Sequence, residues 1–119
     1  MNKYNARKTE IDGYTFDSKK EARRYGELCL LVKAGEITDL TVHPKFVLQE
    51  GFIDRDGKKI QPITYSADFQ YWIVGSGPTG SWIVEDVKGG KATQTQLFKV
   101  KWKLVKKKYP DIDFRIVEE

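Results

Sequence analysis

Apolar residues recur at helical spacing over Ala22, Tyr25, Leu28, Cys29 and Val32, which predicts a first helix. Ser18 stands ahead of it with Glu21 three residues on, the spacing of a capping box, and Gly35 marks the stop. Beyond that point the pattern changes. The stretches PKFVLQ (44–49), PITYSADFQYWIV (62–74) and WIVEDVK (82–88) are rich in β-branched and aromatic residues and predict three strands. A turn with Asp54, Asp56 and Gly57 separates the first two, and the loop Gly-Ser-Gly-Pro-Thr-Gly (75–80) predicts a hairpin joining the last two. A second helix is expected from about Thr95 to Tyr109, with Phe98, Trp102, Val105 and Tyr109 as its buried stripe and Pro110 as its end. DFRIV (113–117) reads as a last strand. Helix, three strands, helix, strand is the order of an α/β (α+β) domain built on one central mixed sheet flanked by helices.

The chain has 119 residues, which fits a single domain over 1–119. No apolar run approaches the ~18 residues of a spanning helix, so no membrane is expected. The polar, basic start MNKYNARK predicts no targeting segment. There is one cysteine, Cys29, and one histidine, His43. An intrachain disulfide is therefore excluded, and a reducing, cytoplasmic setting is expected. Structural zinc sites, His-based metal cages and Cys–His proteases are excluded as well. His43, followed by Pro44, reads as structural, because nothing in the sequence pairs it with a nucleophile. Carboxylates and lysines remain as the carriers of chemistry.

The net charge of +4 is modest, but its distribution is uneven: Val87 to Pro110 holds eight lysines and no acid. Such a segment suits a polyanionic partner. The plainer alternative is a solvated helix face.

Alternation along a strand puts Asp86 and Lys88 on one side with Trp82 and Val84, and Ile83, Glu85 and Val87 on the other. Asp68 is expected in the middle of the longest strand, sharing a face with Ser66 and Gln70, opposite Tyr65, Ala67, Phe69 and Tyr71. Burying such charges is costly unless something pairs with them. The hairpin would set Asp68 beside Asp86, and two adjacent carboxylates call for a cation between them. Hard divalent ions favour such oxygen sites. Glu21 serves the capping box, yet it also shares a face with Tyr25, Leu28 and Val32. A simple Asp86–Lys88 ion pair is the alternative to a site.

Asp68, then Asp86-Val87-Lys88, on consecutive strands after a helix bearing Glu21, resembles the PD-(D/E)XK nuclease superfamily. More narrowly, the blocks KYNARKTEIDGYTFDSKKEARRYGEL, PITYSADFQY and VEDVKG, with a lysine-rich helix behind, resemble a family of small phage and prophage endonuclease-like proteins. The likeness covers nearly the whole chain. Ala67 stands before Asp68 where the superfamily often has proline.

The resemblance implies a restriction-endonuclease-like αβββαβ core and a metal-dependent DNA endonuclease. In that reading Asp68, Asp86 and the Val87 carbonyl hold Mg²⁺ or Mn²⁺, Glu21 holds it directly or through water, and Lys88 orients the attacking water. Glu85 is a reserve ligand only. Lys20, Arg24, Lys91, Gln94, Gln96, Lys99 and Lys103 are the expected DNA contacts. Holliday-junction resolvases are among the small members, so structure-specific cutting, a two-fold homodimer and a targeting partner protein belong to the same expectation. A nucleic-acid-binding accessory protein that does not cut is the alternative, and an interaction module built on the ion pair is a third.

Overall fold

The computed structural model describes residues 8–75, 81–90 and 94–118. Two short strands, β1 (Thr9–Ile11) and β2 (Tyr14–Phe16), form a hairpin ahead of α1 (Lys19–Lys33). The Ser18 hydroxyl accepts the Glu21 N–H at 3.2 Å, capping the helix as its spacing predicts. The other half of the box differs: Glu21 Oε2 accepts from the Asp17 N–H at 3.0 Å, one residue earlier than in the usual arrangement. Gly35, at φ +75°, follows the helix end, where a left-handed residue is needed.

The central sheet runs in the order β10 (Ile112–Glu118), β9 (Ser81–Lys88), β8 (Phe69–Ile73), β3 (Ile37–Val42). β10 is parallel to β9, and the other pairings are antiparallel, so the sheet is mixed. α2 (Gln96–Lys108) connects β9 to β10. The elements of the central layer therefore follow the order αβββαβ, in the mixed α+β class predicted. Among the described residues no helix is long and apolar enough to cross a membrane.

Two expectations about the strands are corrected. The first strand of the sheet is β3, whereas PKFVLQ forms β4 (Lys45–Gln49), which pairs with β7 (Ile63–Ser66) in a separate ribbon. β3 escapes a search for alternation because its register shifts between Thr38 and Thr41, with Asp39 at φ +57°. The bulge puts Ile37, Leu40 and Val42 at irregular intervals. The stretch 62–74 is not one strand but two, β7 and β8, broken at Ala67-Asp68. Between β4 and β7 a short hairpin, β5 (Phe52–Ile53) with β6 (Lys59–Ile60), projects at the Asp54–Gly57 turn.

The break inverts the side-chain pattern. Tyr65 and Ala67 pack with Phe46, Val84, Phe98, Val105 and Phe114 on the α2 side of the sheet. Phe69 and Tyr71 pack with Phe16, Tyr25, Leu28, Ile37, Ile83 and Val87 on the α1 side. The four residues thus divide between two cores, where uninterrupted alternation would put them on one face. Within β9 the alternation holds: Ile83 and Val87 enter the α1-side core, and Val84 enters the other. The loop expected to join β8 and β9 lies largely outside the described residues, although the two strands do pair as neighbours.

Candidate functional site

Topology gathers the chemistry at one end of the sheet. β9 ends at Lys88, β8 begins at Phe69, and β3 ends just before His43. The chain crosses this end at Asp68, where it leaves the β4–β7 ribbon and joins the sheet. Three backbone bonds hold the crossing. Ala67 N–H donates to Pro44 O at 3.0 Å, Asp68 N–H to Glu85 O at 3.0 Å, and His43 N–H to Asp68 O at 2.9 Å.

Asp68 therefore stands between two groups of side chains. On one side stands Glu21, from the first turn of α1. Glu21, His43 and Asp68 each place one ligand atom within 4.8 Å of the other two. Glu21 is 6% exposed, so this carboxylate is drawn in by the fold and not left in solvent. On the other side stand Asp86 and Lys88, paired at 3.1 Å between Oδ1 and Nζ. Asp86 Oδ2 accepts the Tyr65 hydroxyl, and Lys88 Nζ also lies 4.2 Å from the Phe98 ring centre.

The electrostatics follow from this burial. Asp68 is pushed up to about 8, first by desolvation and then by Glu21; the Val87 N–H and the Lys88 charge oppose the shift. Asp86 is also raised by desolvation, and Asp68 adds to that, while Tyr65 and Lys88 counter it. The Tyr65 hydroxyl is held protonated by burial and by the adjoining Asp86 charge. A bound cation would favour the ionised form of both carboxylates.

The expected residues fare unequally. Glu21, Asp68, Asp86 and Lys88 all reach this end of the sheet. The expected partnership within the set is different, however: Asp68 groups with Glu21 and His43, while Asp86 is engaged by Tyr65 and Lys88. Val87 meets Asp68 through its N–H, which donates to Oδ2 at 2.6 Å. Arg24, expected on DNA, is corrected. Its guanidinium grips Glu85 with Nε at 2.8 Å and Nη2 at 2.6 Å, and Nη1 meets Glu27 at 3.0 Å. Glu85 is 1% exposed and also accepts the Tyr71 hydroxyl, and the half-buried Arg24 neutralises it on the α1 side of the sheet. Glu85 is thereby removed as a reserve ligand.

Beside Asp86 and Lys88 opens a hollow of about 360 Å³, lined by Tyr65, Ser66, Thr95, Phe98 and Lys101 among others. Thr95 caps α2 there, its hydroxyl accepting the Phe98 N–H at 3.1 Å. Lys101 is the helix lysine that lines the hollow; Gln96, Lys99 and Lys103 are exposed on α2 without lining it. Gln94 and Lys20 are half-buried, and Lys91 lies outside the described residues.

Sequence reasoning did not place His43 or Lys101 beside these residues. The signal for Lys101 was present: it follows Phe98 by three residues and so flanks the buried stripe. For His43 there was none, since its role depends on where β3 ends.

The chain belongs to the family described as "Protein of unknown function (DUF1064)", which it matches over residues 1–118. No curated protein and no solved structure matches it.

Proposed function

Because that family description assigns no activity, we propose from the site itself that the protein is a divalent-cation-dependent phosphodiesterase that cuts DNA. The plan is that of the PD-(D/E)XK nucleases, in the cytoplasm of a bacterial host and of phage or prophage origin. One observation carries the reading: Glu21, Asp68, Asp86 and Lys88 converge from α1, β9 and the β7–β8 break onto one end of the sheet. Buried acids with perturbed ionisation, gathered at one end of a sheet, mark a candidate ligand site. The donor set suits Mg²⁺ or Mn²⁺, with Glu21 and Asp68 as its nearest holders and Asp86 alongside. A cation held there would lower the pKa of a bound water and offset charge on the scissile phosphate.

The chain's own residues supply the rest. Lys88 stands beside the acids as a positive charge, placed to orient a water and to meet developing negative charge. The hollow with Thr95 and Lys101 gives a neighbouring phosphate a hydroxyl, a helix N-terminus and an ammonium. DNA is the partner this charge layout suits. A two-fold homodimer would set two such sites on two strands, as junction cutting requires.

The test is cleavage of labelled duplex, flap and four-way-junction DNA with Mg²⁺, Mn²⁺ or EDTA, with Asp86→Asn beside the wild type. Metal-dependent cutting that disappears in the folded variant is the expected result. Silence of the wild type on every substrate with both metals overturns the reading.

A second reading has one observation in its favour. Asp86 already has two partners, the Tyr65 hydroxyl and the Lys88 ammonium. A DNA-binding accessory protein that does not cut would use the pair only for packing. That reading expects binding of the same DNAs without cleavage, and a clear loss of stability in Asp86→Asn.

A further inference from the structure

His43 is the chain's single histidine, and it sits in a backbone conformation that few residues adopt. Its φ is +57°, in the left-handed region, immediately before Pro44, where steric crowding further restricts the backbone. The conformation is held by the bond from His43 N–H to Asp68 O at 2.9 Å. It ends β3 and turns the imidazole toward the carboxylates: Nε2 lies 3.9 Å from Glu21 Oε1, and the ring rests 5.9 Å from that of Phe16.

The neighbouring acids are each anchored by one oxygen. Glu21 Oε2 accepts the Asp17 N–H, and Asp68 Oδ2 accepts the Val87 N–H. Each of the two acids and the imidazole presents one ligand atom to the others. Metal–ligand bonds near 2.1 Å put adjacent ligands roughly 3 Å apart and opposite ligands roughly 4.2 Å apart. The three ligand atoms lie within 4.8 Å of one another, so a small closure brings them onto one ion. The imidazole is 42% exposed on its side chain and has room to make that movement.

Ligand chemistry then decides between cations. Mg²⁺ takes oxygen ligands and keeps several waters. Imidazole nitrogen favours first-row transition cations over it. We propose that His43 joins Glu21 and Asp68 as a nitrogen ligand, so that this site takes transition-metal divalent cations in preference to Mg²⁺. The inference rests on the cation reading given above and extends it from an oxygen-only set to a mixed one.

Mn²⁺ is the probe, because its electron paramagnetic resonance reports both binding and ligand type. The metal-free full chain is titrated with Mn²⁺ without DNA, and Mg²⁺ is then added as competitor. Pulsed measurements read ¹⁴N coupling on the bound ion. The wild type is expected to show that coupling and to need more than about a tenfold excess of Mg²⁺ for displacement. His43→Asn keeps a residue that accepts left-handed backbone but removes the imidazole. It is expected to lose the coupling and to weaken Mn²⁺ binding about tenfold or more, with Mg²⁺ binding little changed.

Bound Mn²⁺ without nitrogen coupling in the wild type overturns the proposal, as does an unchanged Mn²⁺-to-Mg²⁺ preference in the variant. Absence of any Mn²⁺ binding sinks the cation reading and this proposal together. Nitrogen-coupled Mn²⁺ on a protein that cuts no DNA upholds His43 as a ligand and rejects the nuclease.

Discussion

The backbone N–H of Val87 reaches the carboxylate of Asp68 at 2.6 Å. That bond ties β9 to the point where the chain passes from the β4–β7 ribbon into the sheet. A carboxylate so placed is both a structural clamp and a strained charge.

The strain predicts a pH dependence. Burial, and then Glu21, raise Asp68 to about 8. Across the window from about 4 to about 8 the folded chain therefore holds a proton that the unfolded chain has released. Stability of the cation-free protein is full at the acid end of that window and declines as pH rises through it. Thermal melts in EDTA are expected to show Tm several degrees lower at pH 8.5 than at pH 5.5. Asp68→Asn keeps an acceptor for Val87 and removes the charge, so its melt is expected to change much less over the same range. An unchanged slope in this variant would assign the dependence to other groups.

Arg24 and Glu85 form the second charged device, and it is structural. Glu85 is 1% exposed and held by two guanidinium bonds and a tyrosine hydroxyl. Arg24→Ala leaves that carboxylate buried and short of its countercharge, at a cost of about 3–5 kcal/mol. Arg24→Met with Glu85→Leu removes both charges together and is expected to recover a large part of the loss. Urea unfolding of the three proteins checks this. Equal stability of Arg24→Ala and wild type would contradict the burial argument.

Lys88 separates chemistry from packing. Its ammonium lies over the Phe98 ring and meets Asp86. Lys88→Met keeps the stem, while the Tyr65 hydroxyl still serves Asp86. Stability is expected to fall by only about 1–2 kcal/mol, and cleavage rate by roughly a hundredfold or more. Single-turnover cutting beside denaturant melts distinguishes the two. A large stability loss with unchanged cutting would make Lys88 an ion-pair residue.

The helix lysines differ by position. Lys101 lines the hollow beside Asp86, and Lys103 is exposed on α2 outside it. Lys101→Gln is expected to weaken DNA binding more than Lys103→Gln and to reduce the slope of log affinity against log salt by about 1. Binding isotherms at several salt concentrations test the contrast. Identical effects from the two would point to a diffuse field with no defined phosphate site.

Much of this was legible in the residues. Both helices, with their caps at Ser18 and Thr95, follow from local patterns that need no tertiary partner. The strands β9 and β10 announce themselves by alternation and β-branched content. The charged set Glu21, Asp68, Asp86 and Lys88 stood out because ionisable groups interrupt otherwise apolar elements.

What stayed hidden depended on breaks in periodicity. The bulge at Asp39 concealed β3, and the interruption at Ala67-Asp68 turned one apparent strand into two that feed opposite cores. Alternation is a rule about unbroken strands, so one extra or unpaired residue reverses every assignment beyond it. Arg24 looked like any surface base, since nothing local distinguishes a free guanidinium from one that reaches Glu85, 61 residues away.

By itself, then, the sequence determined the helices, the residue types able to bind a cation, and the basic face. These depend on near neighbours and on composition. Only the tertiary structure decided which acids meet, that His43 joins them, and that Arg24 is spent on Glu85. Those outcomes depend on strand order and on where strands end, which long-range pairing sets and local pattern does not carry.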